Sequence, residues 1–344
     1  MYIGKVKNNG TEYLRLVESI YSPRAKVGRK RTNLYIAPLS KFDDSYYKEF
    51  NPIANKLSTD FSFDFIKIIT KQEDTDVVKY LFKLSDGNTI ESVVMYHNYG
   101  ISLCVSSEVG CNMGCRFCES GRLKKVRNLE TYEMVEQLLL IESDLNKRIT
   151  HVVVMGIGEP FDNYDNVMDF IRIITTNIGI DLGSRHITVS TCGLIPGIEK
   201  FMTDFNQVNL AISLHAPNDK IRNQIMPINK AYPLNDLMKV IKKYLNTTNR
   251  RITFEYIMLE GINDSCDCAK ELSNLIKGLN CYVNLIPYNE TENIAFKRSK
   301  KVQILAFYDI LKKSKINVTV RREFGSKVDA ACGQLRANYS KGKE

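Results

Sequence analysis

The residues best suited to chemistry lie in one short stretch that holds four of the nine cysteines of the chain. Cys111, Cys115 and Cys118 follow the spacing C-x3-C-x2-C, which lets a short loop turn three thiolates onto one object. Three thiolates favour a soft metal or an iron-sulfur cluster. Gly110 and Gly114 allow the backbone to pass close to that object without a Cβ in the way. The spacing therefore predicts a metal centre with three cysteine ligands.

The ligands available in the sequence restrict the kind of metal centre. A tetrahedral zinc site needs a fourth protein ligand, and no second cysteine or histidine pair follows within about thirty residues. Three ligands leave one metal position open, and Phe117 beside the last cysteine can shield a cluster from solvent. Two alternatives stay open: zinc in a non-catalytic RNA-binding module, and three buried structural thiols.

Length and composition restrict the class of protein. The 344 residues allow one large domain, or a large and a small one, and a hydrophobic content of 44% supports an ordinary core. No apolar run approaches the ~18 residues of a membrane span, and the N-terminus lacks a signal-peptide pattern. We therefore expect a soluble, cytoplasmic protein without a membrane partner. The odd, scattered cysteines favour a reducing compartment, and the net charge of +9 favours an acidic partner such as nucleic acid.

The N-terminal part has strand and turn signals. Residues 1–50 are predicted to form short strands, with a hairpin turn at Asn8-Asn9-Gly10. The basic run at 24–31 is either a solvated loop or a contact with RNA phosphates. Residues 44–60 are predicted to be a loop or weak helix. We interpret 1–50 as an atypical basic N-terminal region.

A second strand-rich stretch leads into the rest of the chain. Residues 61–95 are strand-like, with a hairpin signal at Asp86-Gly87-Asn88. Glu91 lies within the second strand of this hairpin, where an outward, solvated position is the commoner one. We interpret 51–100 as a strand-rich linker and 101–344 as the core of the protein.

From residue 101 strands and helices alternate. The predicted strands cover 101–104, 149–155, 186–190, 207–213, 251–258, 282–286 and 317–320. The predicted helices cover 131–145, 163–178, 195–205, 235–246, 265–278 and 300–315. Buried apolar strands separated by amphipathic helices predict a parallel sheet with right-handed crossovers. The fold class is therefore α/β, a partial (β/α)6 barrel with one added strand, preceded by a small strand-rich N-terminal extension.

Polar residues collect where the predicted strands end, which is where barrels carry their chemistry. They are Gly158, Glu159, Ser190, Ser213, Leu214, His215 and Asn289. Each has a simpler explanation alone: Ser190 as a helix cap, His215 as a core histidine and Asn289 as a turn residue. Their shared position on one rim is the stronger argument. Cys332, before a glycine in a loop of small residues, is either structural or a reactive thiol brought back over the rim.

Several motifs together resemble the RlmN/Cfr family of radical S-adenosylmethionine RNA methyltransferases. The similarity runs over residues 61–339, and its most specific pieces are Leu103–Cys111, Met155–Pro160, Ile212–Asp219, Met226–Asn229, Asn284–Pro287 and Asp329–Leu335. Glu159-Pro160 favours the RlmN branch, which methylates carbon 2 of adenine, over the Cfr branch, which methylates carbon 8. Residues 1–50 do not resemble the compact helical domain with which RlmN-like proteins begin.

The resemblance implies a role for each candidate residue. Cys111, Cys115 and Cys118 would hold a 4Fe-4S cluster, and S-adenosylmethionine would bind the seven rim residues named above. Cys332 would receive a methyl group, Cys104 would be the resolving cysteine, and Glu91 matches a glutamate proposed as proton acceptor. Cys192, Cys266, Cys268 and Cys281 are expected to be packing or surface residues.

The resemblance also implies a reaction and its partners. One S-adenosylmethionine would methylate Cys332, and a second would be cleaved to a radical that takes hydrogen from that methyl group. The carbon radical would add to the adenine, and Cys104 would release the product by forming a disulfide. The expected substrate is carbon 2 of the peptidyl-transferase-centre adenosine of 23S ribosomal RNA, with an anticodon-loop adenosine of transfer RNA as a second. A flavodoxin-like electron donor and a monomeric enzyme are expected; Cfr-like methylation of carbon 8, giving antibiotic resistance, is the alternative.

Overall fold

Two units of the chain can each be described from the computed structural model. It describes residues 2–8, 11–22, 27–38, 66–177, 179–291, 294–321 and 333–341, and gives the backbone alone for those before residue 66. The first unit is formed by residues 1–64 and 174–181, and the second by 65–173 and 182–344. The division of the sequence at residues 50 and 100 stays a prediction.

The first unit contains a three-stranded antiparallel sheet. Its strands are β1 (Tyr2–Asn8), β2 (Thr11–Ser22) and β3 (Val27–Pro38), in the order β1-β2-β3. Asn8 pairs with Thr11, so the chain reverses at the predicted hairpin. Two of the strands have twelve residues, longer than predicted, and Val27 to Arg31 of the basic run lie in β3 rather than in a loop. Residues 23–26 and the predicted linker at 44–60 lie outside the described residues.

The second unit is built on a ten-stranded sheet in the order β15-β14-β13-β12-β11-β10-β7-β6-β5-β4. Its strands are β4 (Lys67–Asp74), β5 (Val77–Lys83), β6 (Thr89–His97), β7 (Gly100–Val105), β10 (His151–Val154), β11 (Ile187–Thr191), β12 (Asn209–Ser213), β13 (Ile252–Met258), β14 (Cys281–Pro287) and β15 (Asn317–Val320). From β7 to β15 neighbouring strands are parallel, whereas β4 to β7 are antiparallel. Six parallel strands and one added strand confirm the predicted partial barrel.

Helices connect the parallel strands. They are α1 (Glu119–Arg122), α2 (Thr131–Leu145), α3 (Tyr164–Thr175), α4 (Ile195–Asp204), α5 (Asp219–Ile225), α6 (Leu234–Thr248), α7 (Cys266–Leu275), α8 (Lys301–Lys313) and α9 (Gln334–Lys341). Short 3-10 helices cover Ser184–His186 and Pro227–Lys230, and a two-residue ribbon pairs β8 (Glu108–Val109) with β9 (Arg127–Asn128). No described helix is long and apolar enough to cross a bilayer.

Local chemistry explains where the helices begin and end. The side chains of Asn218 and Ser265 accept backbone N–H groups of the first turns of α5 and α7, which are otherwise without partners. Asn146 and Asn249 end α2 and α6 in the left-handed conformation, which asparagine tolerates better than most residues. The predicted helices α3 and α7 end three residues earlier than the periodicity suggested. The apolar stripes of the helices bury against the parallel strands, so the core lies on the sheet and the carboxyl ends of the strands carry the loops.

Candidate active site

The three cysteines lie on a loop that leaves the small β8–β9 ribbon. Cys111 is buried, whereas Cys115 and Cys118 are half-buried. The loop is held by its own backbone: the Cys111 N–H donates to the Leu123 carbonyl over 3.0 Å, and the Cys118 N–H donates to the Cys115 carbonyl over 3.1 Å. A backbone fixed by its own hydrogen bonds is what a cluster-binding loop requires.

Gly110 allows the loop to turn at its first cysteine. Its φ of +83° lies in the left-handed region, and a Cβ there would meet the Lys124 carbonyl oxygen at 2.2 Å. A second glycine, Gly121, is equally confined, because its Cβ would meet the Cys115 oxygen at 2.6 Å. Only a residue without a side chain fits at these points.

The charges of the three cysteines affect one another's pKa values. Burial is the main cause that raises their pKa values, to about 12 for Cys111. The charge of Cys118 raises the pKa of Cys111 and of Cys115 further, and the charge of Cys111 raises that of Cys115. Three thiols on one loop lose their protons readily only when a positively charged object binds them, so the donor set suits an iron-sulfur cluster or a soft metal. In the described ranges no three His, Cys, Asp or Glu side chains already form a site for a single ion.

Phe117 and His215 connect this loop to the rim of the sheet. Their rings meet edge to face with centroids 4.9 Å apart. The Nδ1 of His215 lies 3.1 Å from the Ile257 N–H and accepts its hydrogen bond. A neutral imidazole then carries its proton on Nε2. Burial, aided by the charge of Arg222, lowers the pKa of His215 to about 3. His215 is therefore a buried, neutral histidine with a fixed tautomer, as the simpler explanation of the sequence anticipated.

The predicted rim residues follow neighbouring parallel strands. Ser190 lies in β11 and Ser213 at the end of β12, with their hydroxyl oxygens 3.4 Å apart. Leu214 follows directly and its N–H donates to the Glu255 carbonyl of β13. Asn289 is half-buried two residues beyond β14. These residues stand on one edge of the sheet, as parallel strands require.

Gly158 and Glu159 follow β10 on the same edge. A Cβ on Gly158, whose φ is +115°, would meet the Glu108 side chain at 2.7 Å. The buried Glu159 carboxylate accepts the N–H of Cys192 at 2.8 Å and of Phe161 at 3.2 Å. Burial raises the pKa of Glu159. Its carboxylate thus stabilises the loop after β11, a role that the sequence did not indicate. Its charge also raises the pKa of Cys111 and Cys115.

Glu91 and Cys104 lie on one face of neighbouring strands. Cys104 pairs with Val93 across β6 and β7, and Glu91 lies two residues before Val93, so all three side chains share a face. Glu91 is 2% exposed, not solvated as the sequence suggested, and its carboxylate lies 3.4 Å from the ammonium of the equally buried Lys79. The pKa of the Cys104 thiol is raised to about 11, mainly by burial and in part by the charge of Glu91.

The same carboxylate holds the start of the last helix. Glu91 accepts the N–H of Gly333 and, at 3.2 Å, the N–H of Arg336 in the first turn of α9. Gly333, with φ +80°, also lies against the cluster loop, because a Cβ on it would meet the Ser120 oxygen at 2.7 Å. Cys332 itself lies outside the described residues. Its neighbour Gly333 contacts Glu91 and also lies against Ser120, two residues after the cluster cysteine Cys118.

Three further groups position the site and were missed from the sequence. Thr291, after β14, donates to the buried Glu119 carboxylate over 2.6 Å and so ties that loop to the cluster loop. Gln137 binds the Ser106 backbone at the entrance to β8. Arg222 is fully buried beside the ends of β11 and β12. These contacts join residues that are distant in sequence, so no local sequence pattern indicated them.

The surface beside the cluster loop is basic and partly aromatic. An open depression there is lined by Cys115, Arg116 and Arg122 on one side and by Ile294 to Phe296 on the other. Both arginines are exposed. Of the four cysteines with no expected role, Cys192, Cys268 and Cys281 are buried and Cys266 is exposed, as expected for packing and surface residues.

Comparisons with known proteins agree with this geometry. Residues 105–271 match the radical SAM superfamily. The chain is 54% identical over 287 residues to the "Probable dual-specificity RNA methyltransferase RlmN" of Spiroplasma citri, which covers 82% of this chain and 83% of that one. A protein of the same name from Thermoanaerobacter sp. strain X514 is 53% identical over 269 residues, 78% of each chain.

A solved structure carries the same fold. The crystal structure of a radical SAM methyltransferase from Sphaerobacter thermophilus has a TM-score of 0.79 and 38% identity, covering 84% of this chain and 87% of that chain. Family, fold and branch agree with the resemblance found in the sequence. This chain belongs to the RlmN family of radical S-adenosylmethionine RNA methyltransferases.

Proposed function

We propose that this protein methylates carbon 2 of adenine in RNA, at the peptidyl-transferase-centre adenosine of 23S ribosomal RNA and at an anticodon-loop adenosine of transfer RNA. The observation that carries the proposal is the position of Glu91. Its carboxylate binds the backbone of Gly333, the neighbour of Cys332, on the strand face that also carries Cys104. The described residues therefore bring Glu91, the strand face of Cys104 and the residue that follows Cys332 close to one another, which supports the proposal.

The family implies both cofactors, and the residues present suit them. In the proposal Cys111, Cys115 and Cys118 hold a 4Fe-4S cluster, and S-adenosylmethionine binds Gly158, Glu159, Ser190, Ser213, Leu214, His215 and Asn289. When bound, these two groups supply a methyl group for Cys332 and a radical able to remove hydrogen from it. Everything else in the reaction, apart from the removal of one electron, is assigned to side chains of this chain.

The two cysteines and Glu91 complete the transfer. Adenine carbon 2 is electrophilic, so it cannot take a methyl group by simple displacement, and the carbon is instead delivered while attached to the Cys332 sulfur. Once carbon 2 is bonded to the carbon carried by Cys332, Glu91 accepts the proton from carbon 2. The one unpaired electron of the adduct must also leave the ring and would pass to the bound cluster. The Cys104 thiolate then attacks the Cys332 sulfur, so that an S–S bond forms as the C–S bond breaks. The electron pair of the C–S bond passes to the carbon, which gains a proton and becomes the methyl group. A reductant must open the disulfide before the next turnover.

The RNA-binding side of the proposal rests on charge. The relatives are named as RNA methyltransferases, and this chain carries a net charge of +9. Exposed Arg116 and Arg122 border the depression beside Cys115. Arginine forks bind phosphate well, and Phe296 in the lining of the same depression offers a surface for a base turned out of its stack.

The direct test is to identify the product. The enzyme, purified anaerobically with its cluster, is incubated with unmodified 23S ribosomal RNA or transfer RNA, S-adenosylmethionine and reductant. The RNA is digested, and nucleosides are compared with standards by mass spectrometry. 2-Methyladenosine is the expected product. 8-Methyladenosine would assign the chain to carbon 8 chemistry, and colourless protein containing zinc would assign it to the binding module.

Cysteine variants test the mechanism separately from the product. Cys332→Ala should keep the brown cluster and lose all methylation. Cys104→Ala should accumulate RNA covalently attached to protein, because the C–S bond can no longer be broken by disulfide formation. Cys266→Ala is the matched control, since this exposed cysteine lies at the start of α7 and should behave as wild type. A Cys104→Ala enzyme that turns over freely would disprove the assignment.

A further inference from the structure

Arg222 has an environment unusual for an arginine. It is fully buried, and its Nε donates to the Leu214 carbonyl over 3.1 Å. Nη2 donates to the carbonyls of Cys192 at 2.6 Å and Ser213 at 3.3 Å, and Nη1 donates to the Asn229 side-chain oxygen at 2.8 Å. All four acceptors are neutral. Three are carbonyls at or just beyond the ends of β11 and β12, beside the residues proposed to bind S-adenosylmethionine.

The charge of Arg222 is not neutralised directly. None of the ion pairs found among the described residues includes it. The Asn229 amide stands between it and a carboxylate, donating to Asp219 over 2.8 Å. Burying a charge is costly unless another charge compensates it. An arginine retains its charge in proteins, so a negative group close by would remove an energetic cost.

The cluster loop lies next to the helix that carries Arg222. α5 carries Arg222, and its last carbonyl, that of Ile225, accepts the N–H of Arg116 over 2.9 Å. Cys115, next to Arg116, packs on the cluster of buried residues that contains Cys192 and Ile225. Cys192 of that same cluster accepts a hydrogen bond from Arg222 Nη2 at 2.6 Å, so the guanidinium adjoins the group of residues on which Cys115 packs. Arg222 thus contacts the rim directly and the cluster loop through its own helix.

We propose that Arg222 is a positioning residue that locks the S-adenosylmethionine-binding ends of β11 and β12 to the cluster loop, and that its charge favours the reduced cluster. The inference rests on the proposed cofactors and not on the RNA substrate. Reduction adds one negative charge to the cluster, and a fixed cation in a medium of low polarity stabilises that state. The guanidinium therefore makes the cluster easier to reduce. It also holds the S-adenosylmethionine-binding ends of β11 and β12 in a fixed position relative to the cluster loop.

Three variants separate charge from packing. Arg222→Met keeps most of the volume but removes the charge and all donors. Arg222→Lys keeps the charge but cannot reach four acceptors with one ammonium group. Asp219→Asn keeps the oxygen that accepts from Asn229 and from the Leu234 N–H, and removes only the negative charge. The second and third variants are the controls for a loss of folding in the first.

The measurements are made without RNA. Reductive titration followed by absorbance and electron paramagnetic resonance gives the midpoint potential of the cluster, and equilibrium dialysis gives the Kd for S-adenosylmethionine. Arg222→Met should shift the midpoint downward by about 59 mV, a tenfold loss in the ratio of reduced to oxidised cluster. Asp219→Asn should shift it upward. Arg222→Lys should keep the midpoint and weaken binding of S-adenosylmethionine roughly tenfold, about 1.4 kcal/mol.

Either result is interpretable. If Arg222→Met carries a full cluster and keeps both the wild-type midpoint and Kd, the proposal is wrong and the arginine only fills space. If it does not fold, an unchanged midpoint in Asp219→Asn overturns the electrostatic part, and unchanged S-adenosylmethionine binding in Arg222→Lys overturns the positioning part. Failure of the proposed cofactors would be recognised earlier, because wild-type protein would then hold no cluster to titrate. A different methylated nucleoside would overturn the proposed function without changing either measurement.

Discussion

Gly110 fixes the turn at the first cluster cysteine, and replacing it with alanine should disable the cluster loop. At φ +83° an alanine costs about 1 kcal/mol through its Cβ alone. The added Cβ would also lie 2.2 Å from the Lys124 carbonyl oxygen, and the Lys124 carbonyl carbon would be 2.8 Å away. Both are backbone atoms, so no side chain can rotate aside, and the two strands of the loop must separate by roughly 1 Å to reach ordinary contact.

Such a separation breaks the bonds that hold the turn. The Cys111 N–H donates to the Leu123 carbonyl over 3.0 Å, and the Val126 N–H donates to the Val109 carbonyl over 2.7 Å, on either side of the contact. Each is worth about 1 kcal/mol net. Gly110→Ala should therefore reduce the free energy of unfolding by about 3 kcal/mol and should displace Cys111 from its neighbours. We expect iron content to fall with it.

Gly87→Ala provides the matched control. Gly87 has nearly the same φ, +85°, in the β5–β6 hairpin, but a Cβ there meets nothing within 4 Å. This variant should lose about 1 kcal/mol and retain its iron. Denaturant unfolding of the cluster-free proteins and iron analysis after identical reconstitution measure both effects. If Gly110→Ala is no less stable than Gly87→Ala and binds as much iron, the steric reasoning is refuted.

Two titratable groups lead to further predictions. Burial places the pKa of Cys104 at about 11, so its alkylation by iodoacetamide should still accelerate between pH 8 and pH 10. Glu91→Gln removes a charge that raises this pKa, so alkylation of Cys104 at pH 8 should become faster. An unchanged rate would show that the charge of Glu91 does not act on Cys104. His215, with a pKa of about 3, stays neutral in the fold while its unfolded form gains a proton below pH 6.5. The unfolded state binds more protons between pH 3 and pH 6.5, so stability should fall on acidification, by up to about 1.4 kcal/mol per pH unit, and His215→Gln should reduce that slope. An unchanged slope in this variant would show that His215 titrates normally.

The sequence predicted correctly the strands and helices whose residues follow a regular apolar pattern. The apolar run around β10 and the helical spacing of Met134, Leu138 and Ile141 gave the alternation of the parallel sheet, and α2 begins and ends where predicted. Helix ends were less accurate. The helix predicted to reach residue 278 ends at Leu275, because the last turn depends on backbone bonds and not on the apolar stripe.

The sequence could not predict contacts made by distant parts of the chain. Glu91 looked like a solvated strand residue because nothing near it in sequence indicates Lys79 or the start of α9. Arg222 lies in a seven-residue helix between two prolines, too short to show an amphipathic period. Its guanidinium donates to three backbone carbonyls that only the folded rim brings together.

The bond between Glu91 and the backbone of Gly333 joins residues 242 positions apart. During synthesis the barrel strands, the cluster loop and the predicted rim residues are all made before Gly333. Gly333 is made after β5 and β6, so the Glu91 carboxylate can pair with Lys79 before it gains its bond to the start of α9. Chains truncated before residue 333 should load a cluster yet lack the junction beside Cys104.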